Sequence, residues 1–120
     1  MRHNFTKLKI WELGLDLVEL TYDLTADFPA TERYALSSQM QRCAVSIPSN
    51  IAEGTAKSSN KHFVIFLENA LGSAYEWETQ IIVAHRARYI EREQLERFRI
   101  TVQELQRKIS MFMKSLEQVK

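Results

Sequence analysis

The chain has 120 residues, enough for one domain with a buried core. Its formal net charge of +1 excludes a strong overall electrostatic attraction to nucleic acid. Hydrophobic residues make up 45% and charged residues 26%, close to the globular average, while three Gly and two Pro are few for a β-rich fold. No apolar run is long enough to span a membrane, and residues 1–6 lack the apolar core of a signal peptide. We therefore expect a cytoplasmic protein, in keeping with the single cysteine, Cys43, which has no partner for an intrachain disulfide.

The first predicted helix covers about residues 7–27 and ends before Phe28-Pro29, because the residue before a proline is pushed out of the helical region. Two apolar stripes cover more than half of its circumference. One contains Ile10, Leu13, Leu17, Leu20 and Leu24, and the other contains Trp11, Leu15, Val18 and Tyr22. Two interpretations of this wide arc stay open: packing between two neighbouring helices, or burial of the second stripe against another subunit.

The second predicted helix covers about residues 32–56, with Thr31 as its N-cap. Its core stripe consists of Leu36, Met40, Cys43, Ile47 and Ile51. Pro48 lies inside this stripe and is expected to kink the helix, because it lacks an N–H and its ring crowds the preceding turn. Cys43 is expected to be an inert core thiol, since nothing near it in the sequence would lower its pKa.

The third and fourth predicted helices cover about residues 60–87 and 91–119, and each has a heptad seam. The third follows Ser58-Ser59, either of which is a suitable cap, and its seam contains Phe63, Leu67, Ala70, Ala74, Trp77, Ile81 and Ala84. The seam of the fourth contains Leu95, Phe98, Val102, Leu105, Ile109, Phe112, Leu116 and Val119. Short connections make neighbouring helices antiparallel, so the predicted fold is all-α: one domain forming an up-down-up-down antiparallel four-helix bundle.

The sequence offers little for catalysis or cofactor binding. The three histidines show no paired metal-ligand spacing, and there is no glycine-rich phosphate loop or nucleophile elbow. We predict no metal, no cofactor and no enzymatic activity. An enzyme would require Glu53 or Glu76 as a general base in a closed pocket.

Two rows of polar side chains follow the middle helices. The row on the second helix contains Gln39, Arg42, Ser46, Asn50 and Glu53, and the row on the third contains Asn69, Ser73 and Glu76. Two interpretations stay open. The rows form a polar lock through interhelical hydrogen bonds, with Arg42 paired to Glu53 or Glu76, or they line a ligand groove.

Residues 39–54, QMQRCAVSIPSNIAEG, together with Phe28-Pro29 and residues 32–36, resemble a family of four-helix bundle proteins encoded in intervening sequences of bacterial 23S rRNA genes. Residues 66–76 resemble the second motif of this family, so the resemblance covers nearly the whole chain. It implies no enzymatic activity and a ring-shaped homopentamer that could bury the second stripe of the first helix. A related protein, the accessory protein of diversity-generating retroelements, is a basic pentamer that binds nucleic acid and a reverse transcriptase.

Two functions follow as hypotheses. A module that binds RNA or DNA would use the basic residues near the second and third connections, with Tyr89 as a stacking side chain. These candidates are Lys57, Lys61, Arg86, Arg88, Tyr89 and Arg92. They would form two patches at opposite ends of the bundle, repeated around a ring. The alternative is a protein-interaction scaffold, in which the ring presents a groove or an end face to a partner protein.

Charge is distributed unevenly along the chain. Residues 1–56 carry five Lys/Arg and seven Asp/Glu, whereas residues 57–120 carry eleven and eight. The net charge near zero distinguishes this chain from the basic retroelement protein. Binding to nucleic acid relies on several phosphate contacts, so a nearly neutral chain is less suited to it than a basic one.

Overall fold

The computed structural model describes residues 3–118, in which four α-helices pack side by side. The helices are α1 (Lys9–Thr25), α2 (Leu36–Thr55), α3 (Asn60–Arg86) and α4 (Arg92–Glu117), and two 3-10 helices, Phe5–Lys7 and Ala30–Glu32, precede α1 and α2. Each helix packs on the next, and α1 also contacts α4, so the predicted antiparallel four-helix bundle is confirmed. The described part of the chain contains no β-strand and measures 49 × 24 × 20 Å. None of its helices combines the length and apolar character needed to cross a membrane.

The predicted core stripes form the centre of the bundle. All seven seam residues of α3 are buried, with Trp77 fully enclosed. In α4 the seam residues from Phe98 to Ile109 and Leu116 are buried, while Leu95 and Phe112 pack partly buried against them. Val119 lies outside the described residues. The periodicity of the sequence thus identifies the faces that meet in the interior.

The starts of α1 and α2 differ from the prediction. α2 begins at Leu36, because residues 30–32 form a 3-10 turn after Pro29. The prediction of Thr31 as N-cap was wrong: the Glu32 side chain accepts the N–H of Leu36 at 3.1 Å and takes over part of that role. α1 begins at Lys9, after a 3-10 turn in which Asn4 Oδ1 accepts the N–H of Thr6 at 3.1 Å.

The starts of α3 and α4 carry side-chain caps. Ser59, one of the two predicted serines, accepts the N–H of His62 at 3.2 Å. Glu91 and Gln94 form a reciprocal capping box at the start of α4, with Gln94 Oε1 accepting the N–H of Glu91 at 2.8 Å. Both caps satisfy backbone donors that have no partner inside the helix.

The α1–α2 interface contains a close contact between a proline and a glycine. α2 continues through Pro48 without a break, and the proline ring faces Gly14 of α1. A Cβ atom on Gly14 would lie 3.2 Å from Pro48 Cδ, so the glycine lets the two helices approach at this level. The close approach sets α1 against the middle of α2.

Candidate binding surfaces

The polar rows of α2 and α3 meet at Ser46 and Ser73, whose hydroxyls lie 2.7 Å apart. The Cys43 thiol also donates to the Ser73 carbonyl at 3.0 Å. Within α2, the Ser46 hydroxyl donates to the Cys43 carbonyl at 2.6 Å and Asn50 Nδ2 donates to the Ser46 carbonyl at 2.8 Å. The two contacts of Ser73 tie α2 to α3 at one level of the bundle.

The remaining residues of the two rows are exposed. These are Gln39, Arg42, Glu53, Asn69 and Glu76. The predicted pairing of Arg42 was wrong, because within residues 3–118 it forms no ion pair; an exposed pair of this kind would gain little free energy. Glu53 and Glu76 lie on the surface and not in the closed pocket that raises the pKa of a general base.

Cys43 is a packing residue of α2, as its position in the core stripe predicts. Only 6% of it is exposed. Burial, and then the negative charge of Glu76 nearby, raise the pKa of the thiol to about 12. The thiol therefore stays protonated and acts as a hydrogen-bond donor, in contrast to an activated nucleophile.

An apolar strip runs along the outer side of α1 and continues onto α2. Trp11, Leu15 and Val18 are partly buried, and Tyr22 is 50% exposed. Val45 of α2, which is 41% exposed, lines the same shallow depression as Tyr22. Trp11 and Val18 also pack on the core, so part of the arc serves the bundle while its outer edge faces solvent. We call these five residues the apolar strip.

Lysines from the first 3-10 helix, α1, the α2–α3 connection, α3 and α4 lie at one end of the bundle. The start of α3 meets the end of α4, since Asn60 Nδ2 donates to the Leu116 carbonyl at 3.3 Å. The His3 ring lies 5.4 Å from the Phe63 ring, which brings the N-terminal segment to the same end. We call the lysines there the basic end: Lys7, Lys9, Lys57, Lys61 and Lys114. None of them forms an ion pair with a described residue.

Lys57 is held in place within the basic end. Its ammonium lies 4.6 Å from the centre of the Phe66 ring, a cation–π contact that restricts the side chain. The sequence indicated Lys57 and Lys61 at this end but not the other three lysines, because they lie far from the second connection along the chain.

The opposite end, at the α3–α4 connection, has a different character. Tyr89 donates its hydroxyl to Glu32 Oε2 at 2.6 Å, and its ring lies 5.4 Å from the Phe28 ring. This hydrogen bond lowers the pKa of Glu32 and raises the pKa of Tyr89. Tyr89 thus joins the segment before α2 to the α3–α4 connection, and its role as a stacking side chain for nucleic acid stays a prediction.

The arginines near the α3–α4 connection lie close to acidic residues. Arg86, Arg88 and Arg92 are exposed, and Arg92 Nε lies 3.6 Å from Glu96 Oε1. Arg88 has φ 69°, a left-handed conformation that lets the N–H of Tyr89 bond to the Ala84 carbonyl at 2.9 Å as α3 ends. The charges here are mixed in sign, and the arginines form no uniform positive patch.

A polar cluster that the sequence analysis missed joins α3 to α4. Glu78 accepts hydrogen bonds from Arg99 Nε at 3.0 Å, Gln103 Nε2 at 2.8 Å and Gln106 Nε2 at 2.9 Å. Burial alone would raise the pKa of Glu78, but these hydrogen bonds outweigh it and lower the pKa. The spacing of Arg99, Gln103 and Gln106 on one side of α4 was the available signal.

Nothing in the described region resembles a metal centre: no group of three His, Cys, Asp or Glu side chains within residues 3–118 is placed to hold an ion.

Packing between α1 and α4 is sparser than at the other interfaces. It leaves an acidic groove of about 480 Å³ toward the α3–α4 connection and a second groove of about 590 Å³ at the basic end.

Comparison with known proteins connects this architecture to one family. A solved structure of a protein of unknown function from the S23 ribosomal protein family of Bacteroides thetaiotaomicron has 25% sequence identity and a TM-score of 0.77, covering 88% of this chain and 98% of that chain. A comparison with curated proteins gives no match. The family model described as 23S rRNA-intervening sequence protein matches residues 6–111. The chain therefore belongs to the 23S rRNA-intervening sequence protein family.

Proposed function

We propose that this chain is a non-enzymatic, homo-oligomeric module that binds RNA through its basic end. The observation that carries the proposal is the grouping of five lysines from five parts of the chain, all without an ion-pair partner in the described region. Lysines of this kind contact phosphates, release counterions and bind the backbone without reading its sequence. The family is named for an intervening sequence of 23S rRNA, which favours RNA over DNA.

Assembly would be mediated by the apolar strip. Contiguous exposed apolar residues on two neighbouring helices are typical of a protein interface, and Tyr22 and Val45 are 50% and 41% exposed. We propose a ring of five copies, the assembly that the family resemblance implies. In a cyclic ring with helices along the axis, all basic ends lie on one face. Weak contacts from each copy then add up to useful avidity.

The proposal has a direct binding test. Fluorescence anisotropy of a labelled 23S rRNA hairpin is measured against the wild-type protein and against Lys57→Glu/Lys61→Glu over a range of salt concentrations. We expect wild-type affinity to fall steeply with salt. The double variant should bind at least about tenfold more weakly, with a salt slope reduced by about one per lysine lost.

The matched control is Arg86→Glu/Arg92→Glu, which makes the same change in net charge at the opposite end. It should retain RNA binding to within about twofold. Equal losses in both double variants would show an effect of net charge alone and contradict the proposal. A DNA hairpin of the same sequence tests the preference for RNA, and circular dichroism checks that each variant keeps its helices.

A protein-interaction scaffold remains the second candidate function. The sparse α1–α4 interface favours it, since a groove with exposed apolar side chains is a suitable place for a partner. Binding of this kind would depend less on salt than RNA binding does.

A further inference from the structure

The groove at the basic end of the α1–α4 interface combines an apolar floor with a cationic rim. It lies between residues 7–10 and the C-terminal part of α4. Its floor includes Phe112 and Met111, and Met111 is 61% exposed although it is a large apolar side chain. Its rim carries Lys7, Lys9, Arg107 and Lys108.

Charge is segregated along this interface. No acidic residue lines the groove at the basic end, whereas Asp16, Glu19, Asp23 and Asp27 line the acidic groove, where no basic residue is found. Among the rim cations only Lys108 has a partner within residues 3–118, Glu104 at 3.2 Å. The rim therefore keeps a net positive charge available to an incoming anionic group.

We propose that this groove docks an acidic amphipathic helix of a partner protein. Apolar side chains spaced i, i+3 or i+4, i+7 would pack on Met111 and Phe112, and carboxylates beside them would meet Lys7, Lys9 and Arg107. Flexible, polarizable methionine side chains suit such grooves. This site shares Lys7 and Lys9 with the basic end and adds Arg107, Met111 and Phe112. The RNA test rests instead on Lys57 and Lys61, which do not line the groove.

The floor fits a protein helix better than RNA bases. Stacking needs an open aromatic face, but the Phe112 ring is already engaged with the Phe63 ring at 5.7 Å and the His3 ring at 5.8 Å. The acidic groove of a second copy is a poor occupant, because it is itself concave and two concave surfaces cannot fill one another.

The test uses a fluorescein-labelled helical peptide of about four turns, roughly 15 residues, with Leu at the anchor positions and Glu on both flanks. A matched peptide carries Lys in place of Glu. Fluorescence anisotropy with the full chain should show saturable binding of the acidic peptide and none of the basic one. Met111→Glu should weaken binding at least about tenfold, because it places a carboxylate on the apolar floor.

Ile100→Glu is the matched control, since Ile100 is also a large apolar residue of α4, 66% exposed, and lies outside the groove. It should leave peptide affinity within about twofold. Circular dichroism monitors folding; if Met111→Glu unfolds the chain, Arg107→Glu replaces it with the same expected loss.

Several outcomes would overturn the proposal. They are absence of peptide binding, equal binding of both peptides, or equal losses in Met111→Glu and Ile100→Glu. A change of oligomer mass in Met111→Glu would make the groove a subunit interface. Loss of RNA binding in this variant would make it part of the RNA site. If the Lys57→Glu/Lys61→Glu variant binds RNA like the wild type, the RNA proposal fails, but the peptide result is unaffected. The two proposals can therefore be tested separately.

Discussion

Thr21 holds the largest side chain of the core in place. Trp77 Nε1 donates to the Thr21 hydroxyl at 2.9 Å, and both side chains are fully buried. The hydroxyl in turn donates to the Leu17 carbonyl at 2.6 Å. α1 and α3 are thus joined across the centre of the bundle by a hydrogen bond that water cannot replace.

Substitution of Thr21 should reveal the contribution of this bond. Thr21→Val keeps the volume and removes the acceptor, which leaves the Trp77 N–H unpaired and should cost about 1–3 kcal/mol in free energy of unfolding. Thr21→Ser keeps the hydroxyl and loses one methyl group, about 0.8 kcal/mol. Urea unfolding at a fixed protein concentration compares the two. A valine variant at least as stable as the serine variant would contradict this account of the core.

The sequence predicted some of these residues and missed others for physical reasons. Trp77 falls on a heptad seam, so its burial could be predicted. In the sequence, Thr21 is a polar residue between Leu17 and Leu24. Its role as hydrogen-bond acceptor for Trp77 depends on the spacing between α1 and α3. The hydrogen bond of Tyr89 could not be predicted for the same reason: its partner, Glu32, belongs to a segment 57 positions earlier in the chain.

At the scale of the helices, Gly54 lies where α2 packs tightly on α3. A Cβ atom at this position would lie 2.7 Å from Phe63 Cδ1 and 3.0 Å from Phe66 Cβ. In the sequence, Gly54 lies near the end of the second predicted helix, where a glycine is a poor helix former. In the structure its lack of a side chain makes room for the two aromatic residues of α3.

Two glycine substitutions separate packing from helix propensity. Gly54→Ala should lower stability by about 1–2 kcal/mol, because overpacking outweighs a propensity gain of about 1 kcal/mol. Gly72→Ala is the control, since no heavy atom lies within 4 Å of its Cβ position, and it should raise stability by up to about 1 kcal/mol. Thermal unfolding followed by circular dichroism measures both. An increase in both variants would contradict the close packing at Gly54.

Helix faces were easier to predict than helix ends. The seams of α3 and α4 repeat over many turns, so small local errors do not alter them. The start of α2 depends instead on a 3-10 turn after Pro29 and on a cap from Glu32. Several local hydrogen bonds compete at such a point, and Thr31 is a plausible but incorrect choice among them.

At the scale of the whole molecule, the fold brings together charged residues that lie far apart in the sequence. Lys7 and Lys9 belong to the more acidic half of the sequence, yet the antiparallel topology places them at the same end as Lys57 and Lys61. The two patches expected at opposite ends become one basic end and one end of mixed charge. The sequence predicted the candidate lysines of the second connection, while the full basic end required the arrangement of the helices.

The apolar strip is the surface through which we propose that the copies assemble. Trp11, Leu15 and Val18 are only partly covered by the bundle, and Tyr22 and Val45 are more exposed. Sequence periodicity left two roles open for the four α1 residues. Trp11 and Val18 pack on the core of the bundle, and contact with another subunit belongs to the proposed assembly. Burial of the strip against another copy would cover the outer edge that one chain leaves in solvent.

The solution mass, measured by light scattering at low and high salt with and without a 23S rRNA hairpin, tests the central claim most directly. We expect a species of about five times the 14.1 kDa of one chain. It should become heavier with RNA only at low salt, and Tyr22→Glu should shift it toward single chains. A wild-type monomer of 14.1 kDa, or a mass that RNA does not change at low salt, would contradict the proposed oligomeric RNA-binding module.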